Sequence, residues 1–449
     1  MNKKKISLTT TTAFLFIIVS IAAPPDKPIT PQEMHDMLGI GMNGNWLAFD
    51  RRYNSYTNEV ILNIAEKGFS NIRLRTDKLP TQDDLFTKCD RILADILKTD
   101  IIPVLAYSGS IAETMLEEGD EEGARQRVIE FWANAANYYK DTTHRLVFDL
   151  MVEVNGNGPL TDNPQLLNDW YEEIVDTIRK ISPTRILFLS PVGTSYPDKL
   201  CELVIPDTSD KYIMVQTHFY ASGPKPYQGR KIWHLDVDGG PTLEDRKRIT
   251  DLIDAALHWE DSTGILTWIG EWMPSNYNKG DDYSVSEQVV FANFVRTELA
   301  KADIPWSLNE IHKFYDAESN TWITNLYPVL QELISTDTTC LVCSKDDNST
   351  SHSDENCYTN LRNFPNPFSS TTTIEFDVTS SSPVTLIVYN SLGVPVTTVY
   401  NGEKLSIGKH TEKVCAGHLP DGVYYCYFKN GNTSATVKML HNNGNTTVK

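Results

Sequence analysis

Eight short apolar, β-branched runs recur between residues 39 and 308, at 39–42, 71–74, 101–105, 146–152, 185–189, 212–216, 265–269 and 304–308. Helical patterns separate them. Runs without polar alternation suit strands buried on both faces, and a strand–helix alternation repeated this often suits a parallel sheet closed on itself. The expected fold is an α/β (β/α)8 TIM barrel. An open doubly wound sheet is the alternative, and eight clean repeats favour closure. The intervening helices carry their own start and stop signals. Thr81 precedes Asp84 by three residues, as Thr242 does Asp245 and Ser284 does Glu287, each a capping-box spacing. Leu85, Cys89, Ile92, Leu93 and Ile96 form one apolar stripe at helical period, and the pattern over residues 59–67 stops at Gly68.

The rest of the chain divides around this region. Lys3, Lys4 and Lys5 precede an uncharged run whose apolar part covers residues 13–23, followed by Pro24, Pro25 and Asp26. A basic start, a short apolar stretch and small residues at its end make residues 1–22 a secretory signal peptide, too short in its apolar part for a membrane anchor. The barrel domain is expected over residues 30–335. Residues 336–360 are rich in Ser, Thr, Asp and Asn and bury too little apolar area to offset ordering entropy, so they read as a polar linker. Residues 361–441 show strand patterns at 373–378, 384–389, 394–400 and 423–428, with turn chemistry at 390–393 and at Pro420-Asp421-Gly422. They are expected to form a small antiparallel β-sandwich domain.

Charge and cysteine content narrow the function classes. The 449 residues carry 40 Lys and Arg against 59 Asp and Glu, a net charge of −19. Nucleic acid needs a basic face and is excluded as a partner, while neutral polymers such as polysaccharides stay open. Seven cysteines in an exported chain suggest disulfides before metal. Cys340, Cys343 and Cys357 would need a fourth ligand such as His352 to hold zinc, in a segment without apolar residues to fix a site. Cys89 reads as core. Cys415 and Cys426 lie in adjacent strand-like runs and could bridge, and the odd count leaves at least one thiol unpaired.

In a barrel of this kind the active site lies at the C-terminal ends of the strands. Glu153 follows the fourth run, Glu271 the seventh, and His218 and Tyr220 the sixth (THFY). Arg73 and Arg75 lie on the second and Trp306 on the eighth. Two carboxyls on one barrel mouth suit glycosidic bond cleavage, one protonated to act as acid and one ionised to attack. Ion-paired or capping glutamates are the plainer alternative for either residue alone. Trp46, Trp233, Trp272, Tyr277 and Trp306 lie in or beside strand-to-helix loops and are either core or sugar platforms. Residues 39–44 fit GxGxxG, yet no strand precedes them and no helix follows, so nucleotide binding lacks support. No GxSxG elbow or HExxH pair occurs.

The ordered blocks GIGMNGN (ending at Asn45), GFSNIRLR, LVFDLMVEVNG, THFY and WIGEW resemble glycoside hydrolase family 5, the cellulase-like branch of the retaining (β/α)8 enzymes. The resemblance implies a secreted retaining hydrolase of β-linked polysaccharide, an endo-β-1,4-glucanase or a relative such as a β-mannanase. It makes Glu153 the acid/base and Glu271 the nucleophile. Arg73 and Tyr220 would hold the nucleophile ionised, His218 would sit near the acid/base, and Trp306 would floor a sugar subsite. Asn45, Tyr107 and Trp272 complete the implied substrate-binding set. No metal or organic cofactor is implied. The chain departs from the family at Val152, where an Asn precedes the acid/base, and at Tyr107, where a His ends the third strand. A catalytically inactive glycan-binding protein on the same barrel is the rival from another class. The tail blocks NFPNPF, TTTIEFDV, VYNSLGVPV, LPDGVYYCYF and VKML resemble the C-terminal sorting domain of type IX secretion. That resemblance implies secretion machinery as a partner and a secreted or outer-surface location; a carbohydrate-binding or fibronectin-like module is the other reading of the tail. The chain is expected to be a monomer, with polysaccharide as the partner of its barrel.

Overall fold

The runs become strands because helices and a shared interior bury both their faces. They are β1 (Ile40–Gly44), β2 (Asn71–Thr76), β3 (Ile102–Tyr107), β4 (Val147–Asp149), β5 (Leu187–Leu189), β6 (Ile213–His218), β7 (Thr267–Trp272) and β8 (Trp306–Leu308). All pair in parallel, in sequence order, and β8 closes on β1. The fold is a closed TIM barrel. The structure, a computed structural model, describes residues 26–82, 84–154, 156–220, 232–233, 241–274, 283–338, 340–342, 361–378, 380–390, 395–416, 419–431 and 433–442. The signal-peptide segment and Tyr277 lie outside the described residues, as do Cys343, His352 and Cys357.

Side chains alternate between two cores. Inside the barrel, Ile102, Val104, Val147, Ile186, Phe188, Met214 and Trp268 pack together, and Trp268 stacks on Phe188 with ring centroids 4.9 Å apart. Met34 and Leu38 join them from the helix Pro31–Leu38, whose start is fixed by Pro31 and a capping box between Thr30 and Glu33. That helix plugs the end where the strands begin. The larger core lies between strands and helices, and the stripe of Leu85, Cys89, Ile92, Leu93 and Ile96 is buried there.

The helix signals resolve individually. Thr242 and Ser284 form full capping boxes with Asp245 and Glu287. Thr81 does not cap: its helix starts at Leu85 with Asp84 as N-cap, in a left-handed conformation and with no side-chain cap bond. Gly68 takes a φ of +85° just past the helix Asn58–Glu66, the left-handed stop glycine adopts without steric cost.

Barrel contacts run beyond residue 335, where the sequence suggested a linker. Arg296 donates to the Asp337 carbonyl at 2.6 Å and Arg246 to that of Val342 at 2.7 Å, and Val342 is buried in the outer core. Cys340 is disulfide-bonded.

The tail continues the strand count after a short hairpin, β9 (Tyr315–Asp316) and β10 (Thr321–Trp322). It comprises β11 (Arg362–Phe364), β12 (Thr371–Val378), β13 (Val384–Asn390), β14 (Pro395–Glu403), β15 (Gly408–Cys415), β16 (Gly422–Asn430) and β17 (Thr433–His441). Two antiparallel sheets, β11-β12-β15 and β14-β13-β16-β17, enclose Ile374, Phe376, Leu386, Val388, Phe428 and Met439. Strict alternation along β12 puts every second residue in that core, as a two-layer sandwich demands. Cys426 points into it, whereas Cys415 lies on the other sheet and faces away, so the two thiols do not bridge.

Candidate active site

Strand parity assembles the site. Asn43, Arg73, Asp149, Gln216 and His218 share the inward phase with the apolar floor below them, and Asn43 is level with Arg73 across the β1–β2 ladder. Gly270 is inward too, and a Cβ there would stand 2.6 Å from Gln216 Oε1 and 2.8 Å from Arg73 Nη1. Only glycine leaves room for the Arg73 guanidinium beneath β7.

Glu271 is fully buried at the end of β7, where an irregular register turns its carboxylate into the mouth. Among the described residues, four groups donate to it. Oε1 accepts from Arg73 Nη2 and from Asn43 Nδ2 at 2.9 Å, and Oε2 accepts from Tyr220 at 2.7 Å and Asn309 Nδ2 at 3.2 Å. Arg73 also donates to Asp149 Oδ2 at 3.1 Å, so one wholly buried cation serves two wholly buried carboxyls. Burial, opposed by Arg73, pushes Asp149 up to about 7. Desolvating such a cluster costs several kcal/mol per ion, and this cost is offset only while the partners stay in place.

Glu153 differs in exposure. Its side chain keeps 23% of its surface accessible, and its φ of +56° aims it back over the mouth. Arg75 Nη1 donates to Oε2 at 2.8 Å, and His218 Nδ1 lies 3.3 Å from Oε1. The His218 tautomer follows from its other neighbour. Arg73 Nη1 is 3.0 Å from Nε2, and a guanidinium only donates, so Nε2 accepts and the ring proton sits on Nδ1, facing Glu153. Burial lowers the His218 pKa further and keeps the ring neutral. Burial raises Glu153 while the hydrogen bond from His218 and the Arg75 charge lower it, and the balance lies below the ordinary value. Burial, with the Glu271 charge next, holds the Tyr220 phenol protonated as a donor. One oxygen of each glutamate and a His218 nitrogen all lie within 4.8 Å of one another.

Arg73, Glu153, His218, Tyr220 and Glu271 are therefore brought together. Asn45 stands at the rim instead, donating to Glu310 Oε2 at 2.5 Å, and Arg52 pairs with the same carboxylate. Three expected substrate contacts are corrected. Trp306 opens β8 level with Ile40 and packs on Trp272, with ring centroids 5.3 Å apart. Trp272 in turn packs against Phe291 of the helix Val285–Lys301. Tyr107 stacks on Phe131, and its hydroxyl accepts from Arg127 Nε at 3.0 Å. Tyr107 and Trp306 have the outward phase, Trp272 is turned outward by the irregularity in β7, and all three belong to the core under the helices. Trp46 and Trp233 are buried core residues as well. Val152 is also wholly buried, its N–H donating to the Tyr107 carbonyl at 2.9 Å.

The reading of strand ends alone missed Asn43, Asn309 and Asp149. Parity is the signal that finds them. With Trp306 outward, Ser307 and Asn309 are inward, and Asn309 is the residue of β8's phase that reaches the nucleophile candidate. An exposed ring does stand at the rim: Phe49, with 55% of its surface accessible, covers the Arg52 guanidinium at 4.8 Å.

A buried carboxylate under four donors, with a second, wetter carboxyl beside it, is the arrangement of a glycosidic-bond hydrolase. Residues 33–311 match the model of the Cellulase family, glycosyl hydrolase family 5, and the chain belongs to that family. Residues 362–442 match the secretion system C-terminal sorting domain, which implies export and cell-surface delivery. Endoglucanase H of Acetivibrio thermocellus is 24% identical over 272 residues, 57% of this chain, which spans only 28% of that relative's length. Endoglucanase Cel5A from Thermotoga maritima aligns over 68% of this chain and all of its own, at 22% identity and a TM-score of 0.56. The cellulose synthase subunit Z of Clostridioides difficile aligns over 66% of this chain and all of its own, at 22% identity and a TM-score of 0.53. These structural likenesses are of fold.

Proposed function

We propose that the chain is an exported retaining β-glycanase of endo-β-1,4-glucanase type, with Glu271 as nucleophile and Glu153 as acid/base. The carrying observation is the separation of the two carboxyls. Each glutamate places an oxygen within 4.8 Å of one on the other, which favours double displacement over an inverting mechanism, whose carboxyls stand about 6.5–9.5 Å apart with a water between them. Double displacement uses a separation of about 5–5.5 Å. Glu271, held by Arg73, Asn43, Tyr220 and Asn309, attacks the anomeric carbon while Glu153 gives its proton to the leaving oxygen. Glu153 then takes a proton from the water that cleaves the glycosyl ester.

Release of reducing ends from soluble β-1,4-glucan, with β-mannan and xylan in parallel, tests this reading. Activity greatest on β-1,4-glucan, with retained configuration in the first-formed product, is expected. Binding without any reducing-end release would favour the inactive glycan-binding alternative.

Arg75 sets the working pH. It holds Glu153 ionised in the empty site, so a sugar separating the two groups lets burial restore the proton that acid catalysis needs. Arg75→Gln removes a positive charge beside a carboxyl that must be protonated to act. The alkaline limb of kcat/KM should therefore move upward by roughly one pH unit. A downward shift would mean that Arg75 does not act through Glu153.

A further inference from the structure

The barrel and the sandwich meet at a pair of thiols. Cys201 lies in the turn Pro197–Glu202 after β5, and Cys415 ends β15 of the sandwich. The two thiols lie close enough to shift each other's ionisation, Cys201 downward and Cys415 upward. Around them the contact is polar and registered. Lys413, on the same face of β15 as Cys415, donates to the Asp198 carbonyl at 3.1 Å and lies 3.7 Å from its carboxylate. The Cys201 thiol points at the same carbonyl, with sulfur and oxygen 3.8 Å apart. Beside it, Glu412 accepts from Tyr400 and feels the charges of Lys247 and Asp254 on the barrel helix Leu243–Thr263.

We propose that Cys201 and Cys415 form a disulfide that covalently ties the catalytic barrel to the sorting domain. Both thiols are half-buried. A hydrogen bond from the Cys415 thiol, supported by the Lys413 ammonium, holds the Cys201 thiol below its ordinary value, which favours Cys201 as the attacking thiolate. The oxidant is a small or protein disulfide of the exporting compartment. Cys201 thiolate attacks one of its sulfurs, forming a mixed disulfide and releasing one thiolate. Cys415, losing its proton to solvent, then attacks the Cys201 sulfur and releases the second. Two protein thiols lose two protons and two electrons, and the donor disulfide becomes two thiols. The two domains then stay joined even when the chain between residues 342 and 361 is cut. The inference is independent of the glycan reaction and draws only its oxidant from the export that the tail implies.

Oxidised glutathione supplied to the purified full chain separates the pair from the question of export. A non-reducing digest followed by mass spectrometry should show the peptide carrying Cys201 linked to the one carrying Cys415, and reduction should abolish the link. Cys201→Ser should leave Cys415 fully alkylatable, and Cys415→Ser the converse. Two alkylatable thiols at 201 and 415 after oxidation, or either one bonded to a different cysteine, would overturn the proposal.

Discussion

Glu271→Ala is expected to lower kcat on β-1,4-glucan by roughly five to six orders of magnitude, the scale on which an enzyme loses its covalent step with its nucleophile. Azide should restore turnover by attacking from the emptied face, and the glycosyl azide formed should have inverted configuration. The variant should still fold, because Arg73 keeps Asp149 as a counter-charge. Loss of one partner from a buried ion cluster costs about 3–5 kcal/mol, and a melting curve would read it as a lowered Tm. If azide instead yields retained product, or none while the variant remains folded, Glu271 is not the nucleophile.

Glu153→Ala separates acid catalysis from attack. Natural glycans have poor leaving groups and need the proton, so their hydrolysis should fall by about 10²–10⁴-fold. Aryl glycosides with acidic phenols leave unaided, and their first step should be nearly unchanged. The ester would then accumulate for want of a base, giving a burst followed by slow turnover. Equal loss on both substrates would show that Glu153 supports the site without transferring protons. Because Glu153 is partly exposed whereas Glu271 is wholly buried, this substitution should disturb stability much less.

The fold was readable because burial on both faces leaves a periodic trace. Every one of the eight apolar runs is a barrel strand, and the tail's alternation marks a sandwich. The polar strand β15, with its GKHTEKVC pattern, left no apolar trace because only Val414 along it is buried. The site was half readable. Polar residues closing apolar runs, such as Glu271 and His218, stand out by contrast. Aromatic residues at the same places do not, because Trp272 and Tyr107 satisfy the outer core as well as they would a sugar. Counting phase along β8 puts Trp306 on the helix side and Asn309 on the mouth side, whereas Trp272 is turned to the helix side by an irregularity in β7 that no period reveals. Contacts such as Asn45 with Glu310 arise from residues far apart in sequence, with no shared period to betray them.

The left-handed backbone at Glu153 has a consequence for how this chain could be altered. A glutamate at φ +56° carries a standing cost of about 1 kcal/mol that glycine would not, and asparagine would carry less of it. Selection for heat resistance alone would therefore drift away from glutamate at this position, and a library screened by survival of the fold would enrich variants that have lost the proton donor. Stabilising this protein while keeping its chemistry means fixing position 153 at the outset and seeking rigidity elsewhere.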